Sequence, residues 1–188
     1  MELADDASGR DVIHPDTYIP HTLLTEKQRS GGRISAQRCC EIGLTLAIAL
    51  ENLHKRQLVH RDVKPANIIF VGGQPKLADP GLVTDSDKTM TCVGTEGYIP
   101  PEGPGSARAD IFALGMVLYE SFSGFHRREF PKLPTNLEDL SDHGLLVGLN
   151  RAITKACQST PARRTPCLSG CSGSTESLGA TKRLPHAI

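Results

Sequence analysis

Eight consecutive residues, His60-Arg61-Asp62-Val63-Lys64-Pro65-Ala66-Asn67, put a carboxylate, an ammonium and an amide on one short stretch. Further on stands Asp79, in Leu77-Ala78-Asp79-Pro80-Gly81. Between them, Ile68-Ile69-Phe70-Val71 and the run from Gln74 to Ala78 flank a Gly72-Gly73 pair. Two short runs joined in this way predict a β-hairpin. A tight hairpin brings its ends together, so Asn67 and Asp79 can face one point. Both offer hard oxygen ligands, which suit Mg²⁺ carrying phosphate and water. Asp62 can accept a proton from an attacking hydroxyl, or orient it. Lys64 can offset charge on a phosphoryl group in transfer.

These residues need elements to position them. Ser35 has the chemistry of a helix N-cap. After it, Ile42, Leu46, Ile48, Leu50 and Leu53 form a broad amphipathic stripe, predicting a helix from Ala36 to about His54 whose stripe is core. Residues 5 to 33 read mostly as loop, with a short helix around Thr22 to Arg29. From Ala109 to Phe122 apolar residues lie all round a helix, which belongs in the middle of a core. Asp110 and Glu120 near its ends must then find partners, because buried charge is costly. Leu145 to Cys157 predicts one more helix. Residues 80 to 108 are rich in Gly, Pro, Thr and Ser and read as a long ordered loop, a kind of segment that is usually functional or disordered. Pro166 to Ile188 shows little periodicity and cannot bury much surface, so a disordered tail is expected.

Together these motifs resemble the protein kinase family, in its Ser/Thr branch and a bacterial variety. The matches are HRDVKPAN at 60–67, Asp79-Pro80-Gly81 in place of DFG, Pro100-Pro101-Glu102 in place of APE, and Asp110-Ile111-Phe112-Ala113-Leu114-Gly115, in the family's order. The resemblance implies a mainly α fold with small β-hairpins: the kinase large lobe, spanning residues 1–165 from the hinge onward. It implies transfer of the ATP γ-phosphoryl group to a Ser or Thr hydroxyl of a protein substrate, with Mg²⁺ as cofactor.

Roles follow by position. Asp62 resembles the catalytic base, and Lys64 the residue that contacts the γ-phosphate. Asn67 and Asp79 resemble the Mg²⁺ ligands. Thr95 resembles the activation-segment threonine that bonds to the catalytic Asp and Lys. Glu102 would pair with Arg164, Asp110 would hold the catalytic loop backbone, and His60 and Arg61 count with them as structural support. Arg61 implies docking of a phosphorylated loop residue, with Ser86, Thr89 and Thr91 as candidates; for each of them an unmodified surface hydroxyl is the alternative. Met1-Glu2-Leu3-Ala4 resembles the hinge between the lobes, with the Glu2 carbonyl and the Ala4 amide facing adenine.

The departures from the family carry expectations of their own. None of the 61 residues before Asp62 matches a GxGxxG loop or a VAIK lysine. The 188 residues alone are therefore expected to bind ATP poorly and transfer phosphate barely, unless a small lobe is supplied in trans. Pro80 replaces an aromatic whose volume it cannot fill. The stretch from Glu102 to Asp110 is shorter than the family norm. The family pattern stops near Thr165, so residues 166–188 read as a disordered or frame-shifted tail. The competing reading is a non-catalytic, pseudokinase-like interaction module.

Composition narrows the remaining classes. Hydrophobic residues make up 38% and charged residues 22%, ordinary for a globular domain. The 21 basic and 21 acidic residues cancel, which removes any whole-chain argument for nucleic-acid binding. Ile42 to Leu50, the longest apolar run, is far short of the roughly 20 residues of a membrane span. The opening residues Met1-Glu2-Leu3-Ala4-Asp5-Asp6 lack the basic and apolar regions of a secretory signal. The six cysteines show no CxxC pairing, so reduced thiols and a cytoplasmic location are expected. Arg127-Arg128 could contact substrates, although a solvated face is the more ordinary reading of such a pair.

Overall fold

The structure, a computed structural model, describes residues 3–9, 16–78, 84–85, 95–134 and 143–164. Asp79, Pro80, Ser86, Thr89, Thr91, Met1, Glu2 and the segment after Arg164 lie outside the described residues.

Helix α1 spans Leu23–Arg29 and opens with a capping box in which Thr22 and Thr25 exchange hydrogen bonds. Helix α2 spans Ala36–His54, and the Ser35 side chain accepts from the Arg38 amide, the predicted cap. Helix α3 spans Ala107–Ser123, begins at the cap Ser106 and stops at Gly124, whose φ of 76° suits glycine. Helix α4 spans His143–Ala156. The predicted limits of α2 match, while α3 and α4 start about two residues earlier than the apolar pattern alone indicates.

The strands are short. β1 (Leu58–Val59) pairs antiparallel with β4 (Thr84–Asp85). β2 (Ile68–Val71) pairs antiparallel with β3 (Gln74–Leu77), with Ile68 opposite Leu77 and Val71 opposite Gln74. Gly72 and Gly73 turn this hairpin with φ of 58° and 73°, values an L side chain resists. The pairing of β4 departs from the expected loop. A two-residue strand has no period to read, and its partner lies far away in sequence.

The core is built around α3. Every residue from Ala109 to Ser123 is buried. Against it α2 lays Cys39, Ile42, Leu46 and Leu50, and α4 lays Leu146, Leu149 and Ile153. Each such side chain stabilises by about 1.5–3 kcal/mol relative to exposure. Two glycines let the helices close in. A Cβ at Gly43 would lie 2.9 Å from Leu118 Cδ1, and one at Gly115 would lie 2.7 Å from Cys157 Sγ. This is the mainly α architecture with small hairpins expected of a kinase large lobe. Among the described residues no helix is long and apolar enough to cross a membrane.

Candidate active site

The segment between β1 and β2 carries the chemistry. A short 3-10 turn, Pro65–Asn67, follows Lys64 and ends at β2. Proline at its start supplies a fixed φ where an amide donor would be unsatisfied anyway. The turn bends Asn67 back so that its Nδ2 donates to the Asp62 backbone carbonyl at 3.0 Å and to Asp62 Oδ2 at 2.9 Å. Lys64 Nζ lies 2.6 Å from Asp62 Oδ2 and donates to Thr95 Oγ1 at 3.1 Å. Thr95 Oγ1 in turn donates to Asp62 Oδ1 at 2.9 Å. Asp62, Lys64, Asn67 and Thr95 thus converge, although Thr95 comes from a distant part of the chain.

Burial by itself would raise the Asp62 carboxyl. The hydrogen bonds from Lys64, Thr95 and Asn67 and the Lys64 charge outweigh it, and the net shift is downward from the ordinary 3.8. Asp62 is therefore ionised at neutral pH and nearly enclosed, with only 8% exposure.

The loop backbone is held from below. Asp110, in the first turn of α3, accepts from the His60 amide (Oδ2, 2.9 Å) and the Arg61 amide (Oδ1, 2.9 Å). His54 Nε2 closes on the same Oδ2 at 2.9 Å. A carboxylate at a helix N-terminus is favoured by the dipole, and these partners offset its burial. The bond to Arg61 matters because that residue sits at φ 70°. A non-glycine residue there is strained by about 1–2 kcal/mol. His60 Nε2 lies 3.1 Å from the Ala78 carbonyl, and the Ala78 amide donates to the Asn67 carbonyl at 2.8 Å. The residue just before Asp79 is thereby tied to Asn67.

Glu102 and Arg164, the pair that the resemblance implies, meet in the structure. Arg164, fully buried, directs its guanidinium at both Glu102 oxygens, with Nη2 3.0 Å from Oε2. It also donates to the Gln158 carbonyl at 2.6 Å and lies over the Phe112 ring. At the other end of the lobe Ala4 is buried and its carbonyl accepts from the Tyr18 hydroxyl at 3.0 Å. Asp5 caps the hairpin turn, accepting from the Gly72 and Gly73 amides at 2.9 and 2.8 Å.

Some residues of this framework escaped the sequence reading. His54 and Asp5 carry no motif. Arg127 is not a solvated cation: it is clamped between Glu120, Tyr98 and Glu96. The available signal was Glu120, a carboxylate in an apolar helix that must find a partner.

For Mg²⁺ the fit rests on donor chemistry. The amide group of Asn67 spends its nitrogen on Asp62, which turns its oxygen away as a free hard donor. Among the described residues no group of three or more His, Cys, Asp or Glu side chains could hold a metal. Asn67 is suited to a site of few protein ligands completed by phosphate and water.

A carboxylate, an ammonium and an amide on one loop, braced by a buried helix aspartate and a Glu–Arg pair, define a protein kinase large lobe. The model of the protein kinase domain matches residues 13–143, and the chain belongs to that family. It is 30% identical to the serine/threonine-protein kinase PknB of Mycobacterium leprae, over 87% of this chain and 27% of that protein. It is 36% identical to a probable serine/threonine-protein kinase of Streptomyces coelicolor, SCO3848, over 55% of this chain and 17% of that one. It is 37% identical to the human cAMP-dependent protein kinase catalytic subunit PRKX, over 57% of this chain and 32% of that one. The chain thus spans about a third or less of the length of these relatives. These relatives are named as protein kinases, and the family to which the chain belongs uses ATP and typically Mg²⁺.

Proposed function

We propose that residues 1–165 are the hinge and large lobe of a Ser/Thr protein kinase that transfers the ATP γ-phosphoryl group to a protein hydroxyl. The observation that carries this reading is the convergence of Lys64, Asn67 and Thr95 on the Asp62 carboxylate. Asp62 orients the acceptor hydroxyl and takes its proton, and its ionised state at neutral pH suits that role. Lys64 offsets the charge on the γ-phosphate. Thr95 steadies both groups. Asn67, with Asp79, would hold Mg²⁺, which would supply charge neutralisation on the phosphates. By the hinge resemblance, the Glu2 carbonyl and the Ala4 amide would face adenine. His60, Arg61, Glu102, Asp110 and Arg164 support the loop.

The Arg61 Nε is buried with no partner among the described residues. This supports docking of a phosphate from Ser86, Thr89 or Thr91 beside it. The free thiols Cys39, Cys40 and Cys157 suit a reducing cytoplasm. We assign residues 166–188 to a tail outside the catalytic unit.

The 188 residues alone transfer phosphate weakly, because a glycine-rich loop and its lysine are needed to complete the ATP site. A small lobe, on the same polypeptide or in trans, raises the rate. The test is transfer of labelled γ-phosphate to a Ser/Thr peptide library, with the chain alone and mixed with a small lobe bearing both features. Expected are Mg·ATP-dependent thermal stabilisation that Asp79→Ala abolishes, and transfer that Asp62→Asn lowers by about 10²–10⁴-fold. Transfer indifferent to Asp62→Asn, or no Mg·ATP stabilisation even with the small lobe, overturns the reading and favours an interaction module.

A further inference from the structure

Glu120 is a second buried carboxylate of α3, and the phosphoryl-transfer cluster does not use it. It is only 5% exposed. Its Oε2 accepts from the Tyr98 hydroxyl at 2.5 Å. Its Oε1 accepts from the Arg127 backbone amide at 3.0 Å and from Arg127 Nη1 at 3.3 Å. The same guanidinium lies 4.7 Å above the Tyr98 ring centroid, and its Nε donates to the Glu96 carbonyl at 3.0 Å. One cation therefore holds the carbonyl of Glu96, the face of Tyr98 and the carboxylate that fixes the Tyr98 hydroxyl.

Gly97 lies between these contacts, at φ +87°. A Cβ there would lie 2.1 Å from Arg127 Nε and 2.6 Å from its Cδ. The arginine cannot step aside, because both ends of its side chain are engaged. Gly97 is thus required both by backbone conformation and by the approach of Arg127. Thr95 opens the same turn. Its carbonyl accepts from the Tyr98 amide at 3.1 Å, and its hydroxyl makes the bonds to Asp62 and Lys64.

We propose that Arg127 is a positioning residue, which fixes the 95–98 turn in the conformation that delivers the Thr95 hydroxyl to Asp62 and Lys64. The proposal rests on the kinase reading for what that hydroxyl does, but not for how the turn is held. The planar fork of arginine is needed, because a lysine ammonium offers no second donor in the right place for Glu96 while it pairs with Glu120. The neighbouring Arg128 is a built-in control. Among the described residues its side chain pairs with the Glu96 carboxylate alone, with the two side chains 71% and 85% exposed, and such pairs contribute little.

The test is amide hydrogen exchange on the full chain, resolved at the Tyr98 amide and along α3. In Arg127→Ala and in Arg127→Lys, exchange at Tyr98 is expected to speed up by about tenfold or more, with α3 amides from Ile111 to Leu118 within about twofold of the parent. Arg128→Ala is expected to change neither. Gly97→Ala is expected to act like Arg127→Ala, and the double variant to fall short of the two effects combined. In the phosphate-transfer assay, Arg127→Lys is expected to lower kcat with KM for Mg·ATP unchanged. Should Arg127→Ala fail to fold, Arg127→Lys decides, because it keeps a cation beside Glu120. Parental exchange at Tyr98 in Arg127→Lys, or equal loosening of α3, overturns the proposal. A parent chain without transfer, even with a small lobe, defeats the kinase reading and leaves the exchange result to stand on its own.

Discussion

Asp62 owes its charge state to competition between burial and its neighbours. Burial favours the neutral acid, and Lys64, Thr95 and Asn67 favour the anion and win. Removing the largest favourable contributor should therefore let burial show. In Lys64→Met the Asp62 midpoint is expected to rise above that of the parent, whose midpoint lies below 3.8. Carboxyl ¹³C NMR titration reads both, and an unmoved midpoint would mean that Lys64 does not set it. The types of these residues were legible because HRDVKPAN is dense in functional groups. Thr95 was legible only through its place in the motif order. Arg127 was not, since its role depends on a glycine thirty residues earlier and on a carboxylate in another helix.

Helix α3 is read almost completely from its pattern, because a helix apolar on every side has only one place to go. What its pattern does not reveal is how near its neighbours come. Gly115 faces Cys157 Sγ and Ala156 Cβ, at 2.7 and 2.9 Å from a built Cβ, whereas Gly43 faces the tip of the Leu118 side chain. Leu118 can rotate a methyl group, but α4 must shift as a body. Gly115→Ala is therefore expected to destabilise by about 1–3 kcal/mol and Gly43→Ala by distinctly less. Urea unfolding of the two variants gives the comparison, and the reverse order would show that α4 is the softer neighbour. Cys157→Ala should recover part of the Gly115→Ala loss by opening the tightest contact.

At the scale of the whole molecule, formal charges cancel at pH 7; net repulsion builds only as carboxylates protonate, and particular buried carboxylates add an acid sensitivity of their own. Glu120 is the clearest case. Burial would raise it, but Tyr98, the Arg127 amide, Lys27 and the Arg127 guanidinium lower it from 4.5. A depressed carboxyl stabilises fully above its unfolded value and loses that stabilisation as pH falls through its folded value. The melting temperature is expected to fall as pH drops from about 5 toward 3. Glu120→Gln should be less stable at pH 7 and fall less steeply over that window. Equal slopes in calorimetric scans would assign the acid loss to other carboxylates.

Residue order by itself determined the family, the order of the helices, the hairpin and its turn, and the set of groups that could act on a phosphate. Those follow from local spacing: a 3.6-residue period, a Gly-Gly turn, and reactive side chains a few residues apart. Only the tertiary structure decided which distant groups meet. It brought His54 to Asp110, Asp5 to the hairpin turn, β4 to β1, and Arg127 to Glu120 and Glu96. Each of those contacts joins segments whose separation along the chain carries no period. Each forms because a buried or turning backbone leaves a polar group that must be satisfied, and packing alone determines which partner lies within reach.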